Sequence, residues 1–86
     1  MDTLIERLAN LAAYTCRAII DDGHAISVKA AEGEENVVFE VTCEPGDVGL
    51  IIGSKGRNIE AIRTLVRSAC RGETLRTAVE VTKSRR

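Results

Sequence analysis

Tryptophan is absent from this 86-residue sequence, and there is one each of tyrosine, phenylalanine, proline, methionine and histidine. With Tyr14 and Phe39 as the only aromatics, a surface that holds nucleic-acid bases mainly by stacking them on rings is excluded. His24 has no second histidine and no serine or cysteine nucleophile pattern around it, so no nucleophile–base constellation supports catalysis. Cys16, Cys43 and Cys70 are odd in number, widely spaced and free of any C-x-x-C pair, which argues against a disulfide framework or a zinc site. Each falls in or at the end of an expected element, where a buried thiol is the expectation. No apolar run approaches the roughly 18 residues of a membrane span. The N-terminal residues include Asp2 and Glu6 and lack the basic and apolar regions of a signal peptide. The expectation is a cytoplasmic protein with no metal, no cofactor and no enzymatic activity.

A strong net charge is also missing, yet the balance of −1 hides a division. Residues 1–53 carry −7 and residues 54–86 carry +6. A split of this kind points to a polyanionic partner on one side of the fold, although two solvated faces of opposite sign produce the same numbers. The length is that of one domain, residues 1–86, with a modest core and no room for a large active-site cavity.

Thr3 and Glu6 have the spacing of a capping box, and Leu4, Ile5, Leu8, Leu11, Ala12, Thr15, Ala18 and Ile19 recur at three- and four-residue steps. They predict an amphipathic helix of about five turns that stops near Gly23, with Tyr14 free to join a partner surface. Ile26, Val28 and Ala30 alternate with polar neighbours as a strand. The polar stretch 32–36 reads as a hairpin loop, and Val37, Phe39, Val41 and Cys43 form the inner face of a second strand with Phe39 as its core anchor. Pro45 and Asp47 suit a helix start, with Asp47 as cap, so residues 48–52 form a helix of little more than one turn. A longer helix is predicted over 57–71, ended by Gly72, with Arg63, Arg67 and Arg71 in one stripe that Glu60 partly offsets. Leu75, Thr77, Val79 and Val81 alternate as a third strand, and residues 83–86 read as a basic tail. The order is α-β-β-α-α-β: an α+β fold with a three-stranded sheet packed on three helices.

Between the short and the long helix lies the most informative stretch. Gly53 and Gly56 bracket Ser54 and Lys55, and Arg57 follows. Two residues without a Cβ leave the backbone of 53–56 accessible. Amides at a helix start lack intrahelical acceptors and favour anions. With Lys55 and Arg57 beside them, the expected anion is a phosphate.

The string Ile52-Gly53-Ser54-Lys55-Gly56-Arg57-Asn58-Ile59-Glu60-Ala61-Ile62 fills every fixed position of I-G-x-x-G-x-x-I-x-x-I and so resembles the KH-domain signature. With the element order, the whole chain is similar to the type II KH fold and to the small bacterial single-KH proteins of the KhpA type. The resemblance implies that the loop clamps the backbone of about four single-stranded nucleotides. The RNA-binding residues it implies are Ile52, Gly53, Ser54, Lys55, Gly56, Arg57, Ile59 and Arg63. Val48, Ile51, Ile52 and Ile59 are candidates to floor a groove against bases, with the second strand as one edge; which of them face RNA and which the core stays open. Leu50 departs from the pattern, since many KH domains carry a lysine there that adds a phosphate contact. The resemblance further implies RNA chaperoning, control of cell elongation and division, and a homodimer or a heterodimer with a larger KhpB-like KH protein. Two other readings stand beside it. A protein-interaction module with RNA binding secondary needs the same surface residues, and the glycine loop itself is open to serving as its contact. An NTPase phosphate loop requires G-x-x-x-x-G-K-[ST] after a strand, whereas here the lysine precedes glycine and the preceding segment is helical.

Overall fold

A computed structural model describes residues 3–21, 23–70 and 74–84. Its elements are α1 (Leu4–Ile19), β1 (Ile26–Glu32), β2 (Asn36–Cys43), α2 (Val48–Ile52), α3 (Arg57–Ala69) and β3 (Arg76–Lys83), with single 3-10 turns before α2 and before α3. The α+β class and the α-β-β-α-α-β order follow the expected pattern.

The capping box closes α1 as its spacing predicts. The Thr3 amide donates to Glu6 Oε1 at 2.7 Å and the Glu6 amide to Thr3 Oγ1 at 3.1 Å. The helix buries Leu8, Ala12, Ala13 and Cys16, while Ala18 faces solvent. It ends before Gly23 because Ile20 turns into extended backbone and enters the core, its amide still bonded to the Cys16 carbonyl.

The strands form one sheet in the order β1-β2-β3, with β1 antiparallel and β2·β3 parallel. Glu32 pairs with Val37, so the hairpin loop narrows to residues 33–35, closed by the Gly33 amide on the Asn36 carbonyl at 2.8 Å. Inward residues stack across the sheet, with Ala30, Phe39 and Val79 in one row and Val28, Val41 and Val81 in the next. Phe39 is fully buried, at the centre of a core that takes Leu8, Ala12 and Cys16 from α1, Ile51 from α2, and Ile59, Ile62 and Val66 from α3. The other face of the sheet carries short or charged residues, including the row Lys29, Glu40 and Glu80.

Three expectations are corrected. β2 is the central strand, paired along its whole length on both sides, so its backbone is not an edge of any groove. Lys83 belongs to β3, not to a tail: pairing continues past the last apolar residue because it uses backbone groups, and the Ser84 amide still reaches the Cys43 carbonyl at 2.8 Å. Asp47 makes no capping bond. Its carboxylate is buried and its Oδ2 lies 2.8 Å from His24 Nδ1. The helix end expected at Arg71 and Gly72 lies outside the described residues.

All three cysteines are free and buried, as expected. Burial pushes the Cys16 thiol up to about 11, nearby Cys43 adds to the rise, and Arg17 opposes it. Such thiols are poor nucleophiles. No helix of the described residues is long and apolar enough to cross a membrane.

Phe39→Ala removes the largest fully buried side chain of the core between sheet and helices, and the expected cost is about 3–5 kcal/mol. Urea unfolding followed by circular dichroism measures it; a loss below about 1 kcal/mol would place the anchor elsewhere.

Candidate nucleic-acid interface

The α2–α3 junction is compressed into four residues. α2 ends at Ile52, and the Gly53 amide closes it on the Gly49 carbonyl at 2.9 Å. Gly53 has φ +81° and ψ 169°, a region that residues with a side chain do not occupy without strain. A Cβ there meets the Asn58 backbone nitrogen and Asn58 Cγ, each at 2.8 Å. Gly56 is left-handed at φ +76°, but a Cβ there has only Ile59 Cγ2 at 3.9 Å as a neighbour. Between them Lys55 holds φ +57°, the one non-glycine residue with positive φ among those described. That conformation costs a lysine about 1 kcal/mol.

Two bonds use up part of the loop's donor set. The Gly56 amide donates to the Gly53 carbonyl at 3.1 Å, and the Arg57 amide to the Ser54 carbonyl. The expectation that every amide of 53–56 is available is therefore corrected, since Gly53 and Gly56 bond internally. The Ser54 and Lys55 amides have no protein acceptor among the described residues. Both residues are exposed, as is Arg57, and neither Lys55 nor Arg57 is in an ion pair among the described residues. Two bare donors and two unpaired cations around one left-handed turn are an arrangement that favours an anion.

Asn58 is a positioning residue that sequence reasoning passed over, because the signature leaves its place variable. Its Nδ2 donates to the Leu50 carbonyl at 2.8 Å, tying the start of α3 to the unsatisfied carbonyl end of α2. The residue packs against the bare Cα of Gly53, so the loop's shape is fixed from both sides.

The apolar candidates separate once the helices are in place. Ile51 and Ile59 are 0% and 6% exposed and belong to the core, so the expected RNA contact of Ile59 is corrected: it faces inward. Val48 packs partly against the same core. Ile52 and Leu50, 36% and 50% exposed, present the apolar surface beside the loop.

The expected RNA contact of Arg63 is corrected as well. Its Nε and Nη2 donate to the Val79 carbonyl at 3.3 and 3.0 Å, and its Nη1 is paired with Glu60. The Arg76 amide bonds the Glu35 carbonyl and the Ser84 amide bonds that of Cys43. In a parallel ladder alternate residues face the partner strand, so the even-numbered residues of β3 bond β2, and Thr77, Val79 and Val81 turn their backbone outward. Arg63 thus covers a carbonyl on the open edge of β3, and its guanidinium is committed to the fold. That edge lies beside α2 and α3. Arg67 of the same stripe is exposed, and Arg71 lies outside the described residues.

Comparison with known proteins agrees with the geometry. The family described as KhpA/KhpB, KH domain, matches residues 9–81. The RNA-binding protein KhpA of Chlamydia trachomatis is 33% identical over 73 residues, covering 85% of this chain and 94% of its own length. That of Caldanaerobacter subterraneus subsp. tengcongensis is 34% identical over 74 residues, 86% of this chain and 99% of its own. That of Aquifex aeolicus is 30% identical over 74 residues, 86% of this chain and 94% of its own. No solved structure matches.

The two glycines are expected to differ. Gly56→Ala meets only backbone strain and costs about 1 kcal/mol, whereas Gly53→Ala adds a collision with Asn58 and costs more. Thermal unfolding of both variants decides it; equal losses would show that Asn58 gives way freely.

Proposed function

The chain belongs to the KhpA/KhpB KH-domain family, and from that premise we propose that it binds single-stranded RNA across the α2–loop–α3 unit. The observation that carries the reading is the pair of unengaged amides at Ser54 and Lys55, held in a fixed turn between Gly53 and Gly56 with the Lys55 and Arg57 cations exposed beside them. They receive phosphate oxygens. Leu50 and Ile52 lie under the bases as an apolar floor, and the outward backbone of Thr77 and Val81, on either side of the Val79 carbonyl that Arg63 covers, is the edge against which bases are read. Phosphate contacts position the strand and base contacts select it. Gly53, Gly56 and Asn58 shape the clamp, while Arg63 and Ile59 serve the fold. No catalytic step belongs to this reading. RNA chaperoning or regulation in the cytoplasm, with a KhpB-like partner in control of cell elongation and division, completes the proposal on the strength of the family resemblance.

Self-association or pairing with a KhpB-like chain is part of the same proposal and has a surface of its own. Leu4, Arg7, Leu8 and Leu11 of α1 and Leu65, Ser68 and Ala69 of α3 line a groove of about 410 Å³ on the half of α3 remote from the loop. Leu65 is 45% exposed there. A dimer using this groove leaves the loop free, and two linked sites raise the affinity for one RNA strand.

Ser54-Lys55→Asp-Asp is expected to abolish binding of a short single-stranded RNA in fluorescence anisotropy while leaving the fold and any sedimentation-detected dimer unchanged. Unaltered RNA affinity in that variant overturns the loop mechanism. With Lys55 and Arg57 as the phosphate cations, the log–log salt dependence has a slope of about −1.4. Lys55→Ala lowers that slope by about 0.7. Arg63→Ala leaves it unchanged and instead lowers stability by about 1–2 kcal/mol; a smaller slope in the Arg63 variant would return that residue to the RNA surface.

A further inference from the structure

His24 has no part in the reading above, yet it is the sole hydrogen-bond partner of the Asp47 carboxylate among the described residues. Asp47 is 4% exposed and is the one charged residue within the described core. The bond joins two segments 23 positions apart: the approach to β1 and the residue immediately before α2. A second bond runs alongside, from the Ala25 amide to Glu44 Oε2 at 3.0 Å. Together they staple the start of β1 to the turn that launches α2.

That turn has little else to define it. α2 is five residues long and has no side-chain cap at its N-terminus. A helix of that length is not held by its own hydrogen bonds. Its position is set by Ile51 in the core, by Asn58 at its C-terminal end and by the staple at its N-terminal end. Gly53 follows directly, so a rotation of α2 is passed to the Ser54 and Lys55 amides.

We propose that His24 is a positioning residue for the phosphate-binding loop, acting through Asp47 and α2. The inference rests on the RNA-binding reading but can be tested without RNA. The charged groups facing the imidazole are Asp47 before α2, Glu44 at the end of β2 and Asp21 after α1. The hydrogen bond to Asp47 raises the pKa of His24 above its ordinary 6.5; partial burial works against the rise and the three carboxylate charges add to it. A pKa raised in the folded state makes the clamp strongest below pH 6.5 and weakens it as pH climbs through the folded value. Above that value the neutral ring still reaches Asp47, without the charge that holds a buried carboxylate best.

The experiment is a pH series from 5.5 to 8.5 on the full chain, with nitrogen–proton NMR spectra and anisotropy on one short single-stranded RNA. Wild type is expected to lose affinity about fivefold as pH rises through the titration seen in the His24 ring signals. His24→Ala binds at the weak level throughout. His24→Asn, which keeps an uncharged donor near the Nδ1 position and does not titrate, stays flat at the wild-type high-pH level. Wild-type affinity in His24→Ala at pH 6, or a wild-type pH profile in either variant, overturns the proposal. In the RNA-free arm, the Ser54 and Lys55 amide signals follow the His24 titration in wild type and not in His24→Ala. Amides that ignore the titration overturn the inference even where RNA binds. Amides that follow it while no RNA binds at any pH uphold the positioning role and refute the RNA reading instead.

Discussion

The contact between the bare Cα of Gly53 and the backbone of Asn58 is the constraint on which the α2–α3 unit depends. Only a hydrogen atom fits between them. Because it does, α3 begins within four residues of the end of α2, and the side-chain amide of Asn58 reaches back to the Leu50 carbonyl. The same proximity lets Ile51 and Ile59, on successive helices, enter one core. The cost is local: a lysine in left-handed backbone, and two amides left without protein acceptors. Strain and unsatisfied donors gathered in one exposed turn are what a ligand-binding turn requires.

Much of the fold was legible in the sequence, because period-two and period-3.6 patterns report which side of an element is buried. Val37, Phe39, Val41 and Cys43 lie inward as their alternation indicates, and Thr3 and Glu6 close α1 as their spacing indicates. Periodicity says nothing about which strands are neighbours, so the central place of β2 was hidden. It also cannot separate apolar residues of the same kind on adjoining helices. Ile51 and Ile52 differ by about 100° around one short helix, which puts one in the core and the other against solvent. The His24–Asp47 bond spans 23 positions and leaves no periodic trace, and Arg63 in a basic stripe looks the same whether it meets a phosphate or a strand carbonyl. The glycine loop was the most readable part of the site, since its backbone demands particular residues at particular places. Its donor count was not, because Gly53 and Gly56 spend their own amides on closing the turn.

The division of charge acquires a location in the structure. Lys55, Arg57 and Arg67 are exposed on the loop and α3, while Glu40 and Glu80 sit side by side on the outer face of the sheet. Lys29 and Arg76 share that face with the two glutamates, so it is balanced in sign, and the positive surplus lies on the loop and α3. Arg63 contributes to the count of positive residues without contributing to that surplus, since Glu60 and the Val79 carbonyl hold it. Net charge by segment thus overstates the cations available to a partner.

The parallel pairing of β2 with β3 sets an order in time. β2 is complete at residue 43, but its second neighbour begins at residue 76, after α2, the loop and α3 have all been made. During synthesis the glycine turn and its cations emerge from the ribosome before the strand that borders them and before the carbonyl that Arg63 covers. A chain halted between α3 and β3 carries the exposed glycine turn beside a central strand paired on one side only, its other edge open to any extended segment nearby. The glycine turn and the open strand edge, neighbours on one surface in the finished fold, come into being at different moments of its making.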